Sequence, residues 1–211
     1  MPDSAAEPEL ETESDARSGY YRERDLDLVA LKALAHPLRV EIFDALSLYG
    51  SFTASGLAER LGESSGATSY HLRQLEKHGF VREVADKGTS RERWWERVPG
   101  AINIGTDDAS ATQAGRSAAT MIYRQMRVTQ ERLLTDFVTR AVDELPTEWT
   151  DGAAISTANT RLTAAQLKEF TTEFMELLDR YVIPNKNQTV PGARPVQVNF
   201  QAFPVLDGDV S

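Results

Sequence analysis

The segment from Ser64 to His78, SSGATSYHLRQLEKH, constrains the fold of this chain more than any other. Ser64 is placed to cap the start of a helix, and Gly79 follows where a left-handed residue commonly ends one. One side of this helix carries residues at core spacing, namely Thr68, Leu72 and Leu75. The segment is therefore predicted to be a helix that buries one stripe and exposes the opposite one.

The exposed stripe of this helix carries small residues, an aromatic ring and two cations, with no acid. Its members are Gly66, Ser69, Tyr70, Arg73 and Lys77. Small leading residues let a helix approach base edges closely, and a guanidinium hydrogen-bonds to those edges. The pattern favours a helix that lies in a DNA groove, and the alternative is an ordinary solvated helix face.

The residues before this helix complete a helix-turn-helix pattern. Pro37 suits the first position of a helix that continues to Gly50, because that position needs no N–H donor. A shorter helix, Ala54–Leu61, is predicted next, with Thr53 as its cap and Gly62 at its end. Two helices joined by a tight turn that contains glycine are typical of DNA-binding domains.

The residues after the helix predict a β-hairpin, or wing. Its strands are Phe80–Val84 and Arg91–Val98, and the turn is placed at 86–90. Trp94 and Trp95 are adjacent, so they should point to opposite faces of their strand. One indole is expected in the core, and the other is expected to be covered by the C-terminal half.

The charge of the chain is distributed unevenly. The formal net charge of −9 divides into −5 for residues 1–25, zero for 26–98 and −4 for 99–211. Between Arg73 and Arg93 there are six cations and four acids. This modest patch predicts weak non-specific DNA binding and an affinity that depends on a dimer.

The C-terminal half is predicted to contain two long helices and one or two short strands. The first helix spans Arg116–Leu145 and has two apolar faces, which favours packing on both sides, with a symmetry mate as one partner. The second follows Leu162, with Thr163 and Gln166 at capping-box spacing. Arg194–Phe203 alternates as a strand would, and a second short strand is allowed within 148–161.

Five aromatic residues of this half are candidates to line a pocket for a small apolar effector between the two helices. They are Phe137, Trp149, Phe170, Phe174 and Tyr181. An ordinary packed core is the favoured alternative, since such stripes are usually structural.

The expected fold class is mainly α with a small β component, in four segments. These are an acidic disordered tail (1–25), a winged helix-turn-helix domain (26–98), a linker (99–115) and a dimerisation or sensor region (116–211). The chain has no cysteine, no apolar run long enough for a membrane span and a polar, acidic start. These features predict a cytoplasmic protein with no secretory signal. The absence of phosphate-loop, paired-ligand and triad motifs predicts no cofactor and no enzymatic activity.

Four motifs together resemble the DNA-binding domain of ArsR-type transcriptional regulators. They are LKALAHPLRVEIFDAL, LAERLG, ATSYHLRQLEKHGFV and KGTSRERWW, in that order, within residues 31–98. The later half looks like the extended C-terminal region of an actinobacterial-type subgroup. The resemblance implies a homodimer that binds a two-fold DNA operator and acts as a repressor, releasing DNA when an effector binds. It also implies that a first short helix, predicted at residues 26–34, and the helix after the wing, Arg116–Leu145, contribute to the dimer interface.

The resemblance carries DNA contacts over to positions of the helix and the wing. On the helix they are Ser64, Ser65, Gly66, Ser69, Tyr70, Arg73 and Gln74. On the wing, against the phosphate backbone and minor groove, they are Lys87, Thr89, Ser90 and Arg91. Arg39 matches a common arginine of the family. It is expected to contact a phosphate or, equally, to form an ion pair with Glu41 or Asp44.

The sequence departs from metal-sensing members of this family because it has no thiolate motif. Of its three histidines, His36 is interpreted as a helix cap, His71 as a hydrogen-bonded packing residue and His78 as a helix-ending cation. No metal site is predicted. The alternative to a DNA-binding regulator is a winged-helix module for protein interaction, which the acidic total charge and the surplus tryptophan favour.

Overall fold

The computed structural model describes residues 24–89, 92–100, 102–104, 111–185 and 188–207, leaving aside the side chains at 86, 89 and 103. The helices in this part of the chain are α1 (Leu28–Leu34), α2 (Pro37–Tyr49), α3 (Ala54–Leu61), α4 (Ser65–Lys77), α5 (Gln113–Glu144), α6 (Thr147–Asp151) and α7 (Ala164–Asn185). The strands are β1 (Arg24–Asp25), β2 (Phe52–Thr53), β3 (Val81–Thr89), β4 (Glu92–Arg97) and β5 (Ile102–Asn103). The predicted fold class, mainly helical with a small sheet and long C-terminal helices, is confirmed.

The helices before the wing begin at capping residues that the sequence marks. Asp27 accepts a hydrogen bond from the Ala30 amide at 2.7 Å and caps α1, and Pro37 occupies the first turn of α2. Thr53 caps α3 by accepting from the Gly56 amide at 3.1 Å. The α3–α4 turn passes through Gly62, whose φ of 69° is the left-handed conformation that glycine adopts without strain. Local chemistry therefore sets the turn between α3 and α4.

A three-stranded antiparallel sheet with the order β2–β4–β3 supports the helices. Val81 lies opposite Arg97 and Glu83 opposite Trp95, after which β3 bulges until Gly88 pairs with Arg93. The turn predicted at 86–90 is wrong in this respect, because Gly88 belongs to β3 and pairs with Arg93 of β4. Ser90 and Arg91 lie outside the described residues.

One hydrophobic core joins α1–α4, the sheet and the start of α5. Its largest fully buried side chains include Phe80, Leu31, Ile42, Leu72 and Ile122. Ala118 and Ile122 are the buried contribution of α5, so the long helix packs against α1 and α2 rather than standing apart. Burial of one apolar stripe of α5 fixes its position relative to α1–α4.

The last two residues of segment 1–25, which the sequence predicts to be a disordered tail, form the short strand β1. Arg24 and Asp25 pair in parallel with Ile102 and Asn103. Residues 1–23, and the linker positions 101 and 105–110, lie outside the described residues.

The C-terminal half contains helices and an extended segment. The strand predicted at Arg194–Phe203 is wrong: these residues have no regular secondary structure, since no strand of the described chain lies beside them. Likewise, 148–161 contains the end of helix α6 and no strand. Phe200 instead stacks on Phe174 of α7, with ring centroids 3.7 Å apart. Among the described residues, no helix combines the length and the apolar character that crossing a bilayer requires.

Candidate nucleic-acid interface

Helix α4 is fixed to the domain by one fully buried stripe. Thr68, Leu72 and Leu75 each have zero relative exposure. The Thr68 hydroxyl donates to the Ser64 carbonyl at 3.0 Å, so burial leaves this polar group satisfied. Ser64 itself accepts from the Ala67 amide at 3.2 Å, which confirms the predicted N-cap. The helix therefore has a defined rotation, and its opposite face is defined with it.

The opposite face of α4 is the predicted outward face. Ser65, Gly66, Tyr70 and Arg73 are exposed, while Ser69 and Gln74 are half-buried. A Cβ at Gly66 would have no other heavy atom within 4 Å, so the first turn borders open space. A helix N-terminus with small, exposed side chains suits a close approach to phosphates and base edges.

The C-terminal end of α4 is held by a residue that sequence reasoning missed. Arg24 donates to the carbonyl of His78 at 2.9 Å and to that of Gly79 at 3.0 Å. A cation there satisfies the last carbonyls and opposes the helix dipole. Gly79 has a φ of 69°, the left-handed conformation predicted for it. No local signal identifies Arg24, because it lies 54 positions before His78.

The wing places its described residues differently from the prediction. Lys87 does not project freely: its Nζ donates to the Ser51 hydroxyl at 2.7 Å and lies 3.9 Å from the centroid of Trp94. Trp95 is 4% exposed and enters the core, as one of the two indoles should. The expectation that the C-terminal half covers Trp94 is wrong, since Lys87 and Gly88 of its own hairpin cover it. Thr89 pairs with Glu92 by its backbone.

A cluster of titratable side chains lies between the start of α2 and α4. The imidazole rings of His36 and His71 are 4.4 Å apart, and Tyr70 meets His71 edge to face at 5.1 Å. Arg39 donates a hydrogen bond to the Lys32 carbonyl at 3.3 Å. Among the ion pairs of the described residues, none joins Arg39 to Glu41 or Asp44. His36 is the N-cap residue of α2, as predicted, although its side chain makes no capping hydrogen bond.

Burial sets the protonation of this cluster. It lowers the pKa of His36, and the charge of Arg39 lowers it further. Burial also lowers the pKa of His71, with His36 and Arg39 acting in the same direction and Glu63 opposing them. Both imidazoles are therefore held in the neutral form near pH 7.

The sequence-predicted effector residues are not assembled in the single chain. Phe137 and Trp149 are half-buried on α5 and α6, while Phe170 and Tyr181 of α7 are 48% and 63% exposed. Phe174 contacts Phe200 rather than α5. Helix α7 has no buried residue, so it forms no closed pocket with α5. Within the described ranges, no three His, Asp or Glu side chains gather as a metal site would require.

Comparison with protein families agrees with this geometry. Residues 34–84 match the model of a helix-turn-helix domain family. The match covers α2, α3, α4 and the first residues of β3, and the hairpin of β3 and β4 adds a wing to it. This part of the chain is a winged helix-turn-helix domain, the class of fold that the ArsR-type motifs imply.

The solved structures that resemble this chain share little sequence identity with it. Reduced HlyU from Vibrio cholerae N16961 is 20% identical, with 55% of this chain and 92% of that chain covered, at a TM-score of 0.30. The AntR antimony-specific transcriptional repressor is 17% identical, with 63% and 99% covered, at 0.33. The adhesin competence repressor AdcR from Streptococcus pyogenes is 17% identical, with 67% and 80% covered, at 0.30. No curated protein matches the sequence.

Proposed function

We propose that the protein is a sequence-specific DNA-binding transcriptional regulator that acts as a homodimer, with α4 in the major groove. The observation that carries the proposal is the division of α4 into a sealed stripe and an open face that includes Ser65, Gly66 and Arg73. Arg73 is exposed on this face, and a guanidinium in that position suits bidentate contact with guanine or a phosphate. The family match is to a helix-turn-helix domain, and it indicates no enzymatic family.

The apolar surface of α5 supports the dimer. One stripe of this helix packs into the core through Ala118 and Ile122. A second stripe remains uncovered, with Val128, Val138 and Val142 between 61% and 85% exposed. Monomers rarely expose a row of large aliphatic side chains along a helix, and a two-fold mate covers such a row with its own copy. A dimer also places two α4 helices on successive turns of one face of DNA, about 34 Å apart.

We further propose that the C-terminal half senses a small apolar effector. Phe137, Trp149, Phe170, Phe174 and Tyr181 are the residues proposed to contact a small apolar effector. Because the single chain leaves α7 without a buried residue, such a pocket needs the second copy to close it. Release of DNA on effector binding, and repression as the outcome, follow from the ArsR-type resemblance.

The test is operator binding by an Arg73→Ala variant. The probe is a fluorescent duplex enriched from a random library by the wild-type protein. Loss of one guanidinium contact should weaken binding by about 1–3 kcal/mol, and should relax the preference at one base if Arg73 reads guanine. Arg180→Ala, an exposed arginine of α7, changes the net charge equally and should leave the affinity within about twofold.

Two results would overturn the proposal. One is the failure of the wild-type protein to enrich any duplex at low salt. The other is equal affinity of the Arg73→Ala and Arg180→Ala variants across a salt titration. Capture of a protein partner without salt-dependent DNA binding would instead support the interaction-module alternative, for which the exposed apolar faces of α5 and α7 are the candidate surface.

A further inference from the structure

Three nitrogen-bearing side chains converge where the start of α2 meets α4. His36 and Arg39 are separated by less than one turn of α2, and the ring of His71, from α4, lies 4.4 Å from that of His36. All three residues are half-buried. Tyr70, on the exposed face of α4, packs its ring edge to face against His71. The cluster therefore adjoins the surface proposed to meet DNA.

The cluster has nitrogen atoms that the protein does not satisfy. Nδ1 of His36, Nδ1 of His71 and Nε of Arg39 are buried without a hydrogen-bond partner in the described structure. Buried polar atoms are almost always paired, so unpaired ones require an explanation, and a bound ion is one such explanation. No protein acceptor holds either Nδ1 as a donor, so no hydrogen bond at this atom fixes the tautomer of either ring.

The charges around the pair are few. Arg39 on α2 disfavours an imidazolium, and Glu63, between α3 and α4, favours one at His71. Tyr70 contributes a phenol from α4, and α1 contributes the Lys32 carbonyl, which Arg39 already occupies. Among these described groups, Glu63 is the one anion that acts on the pair, and it is exposed. An anion brought from outside would therefore change the balance most.

We propose that His36, Arg39 and His71 bind a phosphate oxyanion of the DNA backbone, and that the two imidazoles take up protons from solvent as it binds. This inference rests on the proposed function. It adds a contact to a DNA phosphate beside α4, and this contact makes the DNA affinity depend on pH. Arg39 supplies a permanent charge. Each imidazole adds an N–H donor and a second charge only when it is protonated.

The direction of the pH effect follows from linkage. Both histidine pKa values lie below 6.5 in the free protein, so the rings are neutral near pH 7. A phosphate beside them raises both values, and binding then consumes protons. DNA affinity should rise as the pH falls through the window between the bound and free pKa values. The gain is at most about tenfold per pH unit for each proton taken up.

The experiment measures duplex affinity and proton uptake in the intact chain. The probe is the enriched duplex, titrated by anisotropy at about pH 7.5 and about pH 5.5 at one salt concentration, with a wild-type gain of at least about threefold expected at the lower pH. Calorimetry in two buffers of different ionisation enthalpy counts the protons. The variant is His36→Gln with His71→Gln, and the matched control is His78→Gln, which removes the third histidine of the chain.

Loss of the gain in the double variant, with the gain kept in His78→Gln, supports the proposal. Protonation of carboxylates at low pH also raises the DNA affinity of an acidic protein. All three proteins share this effect, so the comparison between them separates it from the effect of His36 and His71. A wild-type affinity that does not change with pH, or one that changes equally in the double variant, overturns it while leaving DNA binding intact. Absence of any duplex binding overturns this proposal and the proposed function together.

Two additions cover the remaining outcomes. If the double variant does not fold, as judged by circular dichroism, wild-type calorimetry decides: proton uptake supports the proposal, and none overturns it. Imidazole proton resonances, assigned with the single variants, report the pKa of each ring with duplex or with inorganic phosphate as the probe. A rise with the duplex supports the DNA assignment. A rise with inorganic phosphate alone overturns it in favour of a free anion.

Discussion

The side-chain amide of Gln125 donates a 2.8 Å hydrogen bond to the carboxylate of Glu41, across 84 positions of sequence. One turn further along both helices, Thr129 hydrogen-bonds to the carboxylate of Asp44. These two contacts join α5 to α2 beside the apolar core that Ala118 and Ile122 enter. The long helix that carries the proposed dimer surface is thus coupled to the DNA-binding domain through two acids.

Asp44→Asn should stabilise the protein at alkaline pH. Burial raises the pKa of Asp44 to about 7 against the hydrogen bond from Thr129 and the charge of Arg97, which lower it. Because the folded state holds this proton more tightly than the unfolded state, ionising Asp44 disfavours folding. The penalty is absent below the ordinary value of 3.8, grows as the pH rises and is complete above about 7. Asparagine keeps an acceptor for Thr129 without the charge, and should raise the free energy of unfolding by about 2–4 kcal/mol at pH 8.

Urea denaturation at about pH 5 and about pH 8 measures this effect. The matched control is Asp143→Asn, an exposed acid on α5. The wild type and the control should both lose stability between the two pH values, whereas Asp44→Asn should lose much less. An Asp44→Asn variant with the wild-type pH dependence would show that this carboxylate is not the group responsible.

The winged helix could be predicted from sequence because its boundaries are set by local chemistry. Ser64, Thr53 and Gly79 act through atoms within a few residues of themselves, so their roles are visible in the sequence. The buried stripe of α4 is equally local, since helical spacing alone places Thr68 and Leu72 together. These are the parts of the interface that the structure confirms as predicted.

The remaining features depend on contacts between distant residues. Arg24 reaches His78 from another element, and Lys87 is drawn to Ser51 across 36 positions. The pairing of His36 with His71 joins two helices whose separate patterns show only a cap position and a packing position. Arg194–Phe203 is the opposite case: its alternation predicts a strand, but in the described part of the chain no strand pairs with it.

Gly88→Ala should destabilise the wing. Gly88 has a φ of 106°, and a Cβ there would collide with the Glu92 carbonyl oxygen and lie 2.8 Å from Cδ1 of Trp94. Strain of this kind costs about 1–3 kcal/mol. Thermal denaturation measures the loss of stability. Tryptophan fluorescence should report the local change around Gly88 as increased solvent exposure of Trp94. Gly66→Ala is the matched control: it lies in α4 with open space around it, so alanine there should be neutral or stabilising by up to about 1 kcal/mol. Equal effects of the two substitutions would contradict the prediction.

Arg24→Ala should loosen the end of α4. The substitution removes the hydrogen bonds to the carbonyls of His78 and Gly79, and the contact of the guanidinium with the Phe80 ring at 5.3 Å. Because Arg24 is exposed, the expected loss is about 1 kcal/mol. Hydrogen exchange should locate it, with faster exchange in the last turn of α4 and little change in α3. Arg124→Ala, an exposed arginine of α5, is the control. Unaltered exchange at the end of α4 would show that Arg24 does not hold it.

Phe200→Ala should release the extended segment 194–203 from α7. The stack of Phe200 on Phe174, at an interplanar angle of 11°, is reinforced by Phe170 at 5.8 Å. These residues anchor a segment that has no strand to pair with, so loss of the ring removes its principal contact with the helix. Limited proteolysis should cut this segment several-fold faster in Phe200→Ala than in the wild type. Phe203→Ala, which removes a ring that is 69% exposed, should be cut at the wild-type rate. Equal cleavage of both variants would mean that the stack does not hold the segment on α7, and would place its attachment elsewhere, such as the contact of Arg194 with Trp149.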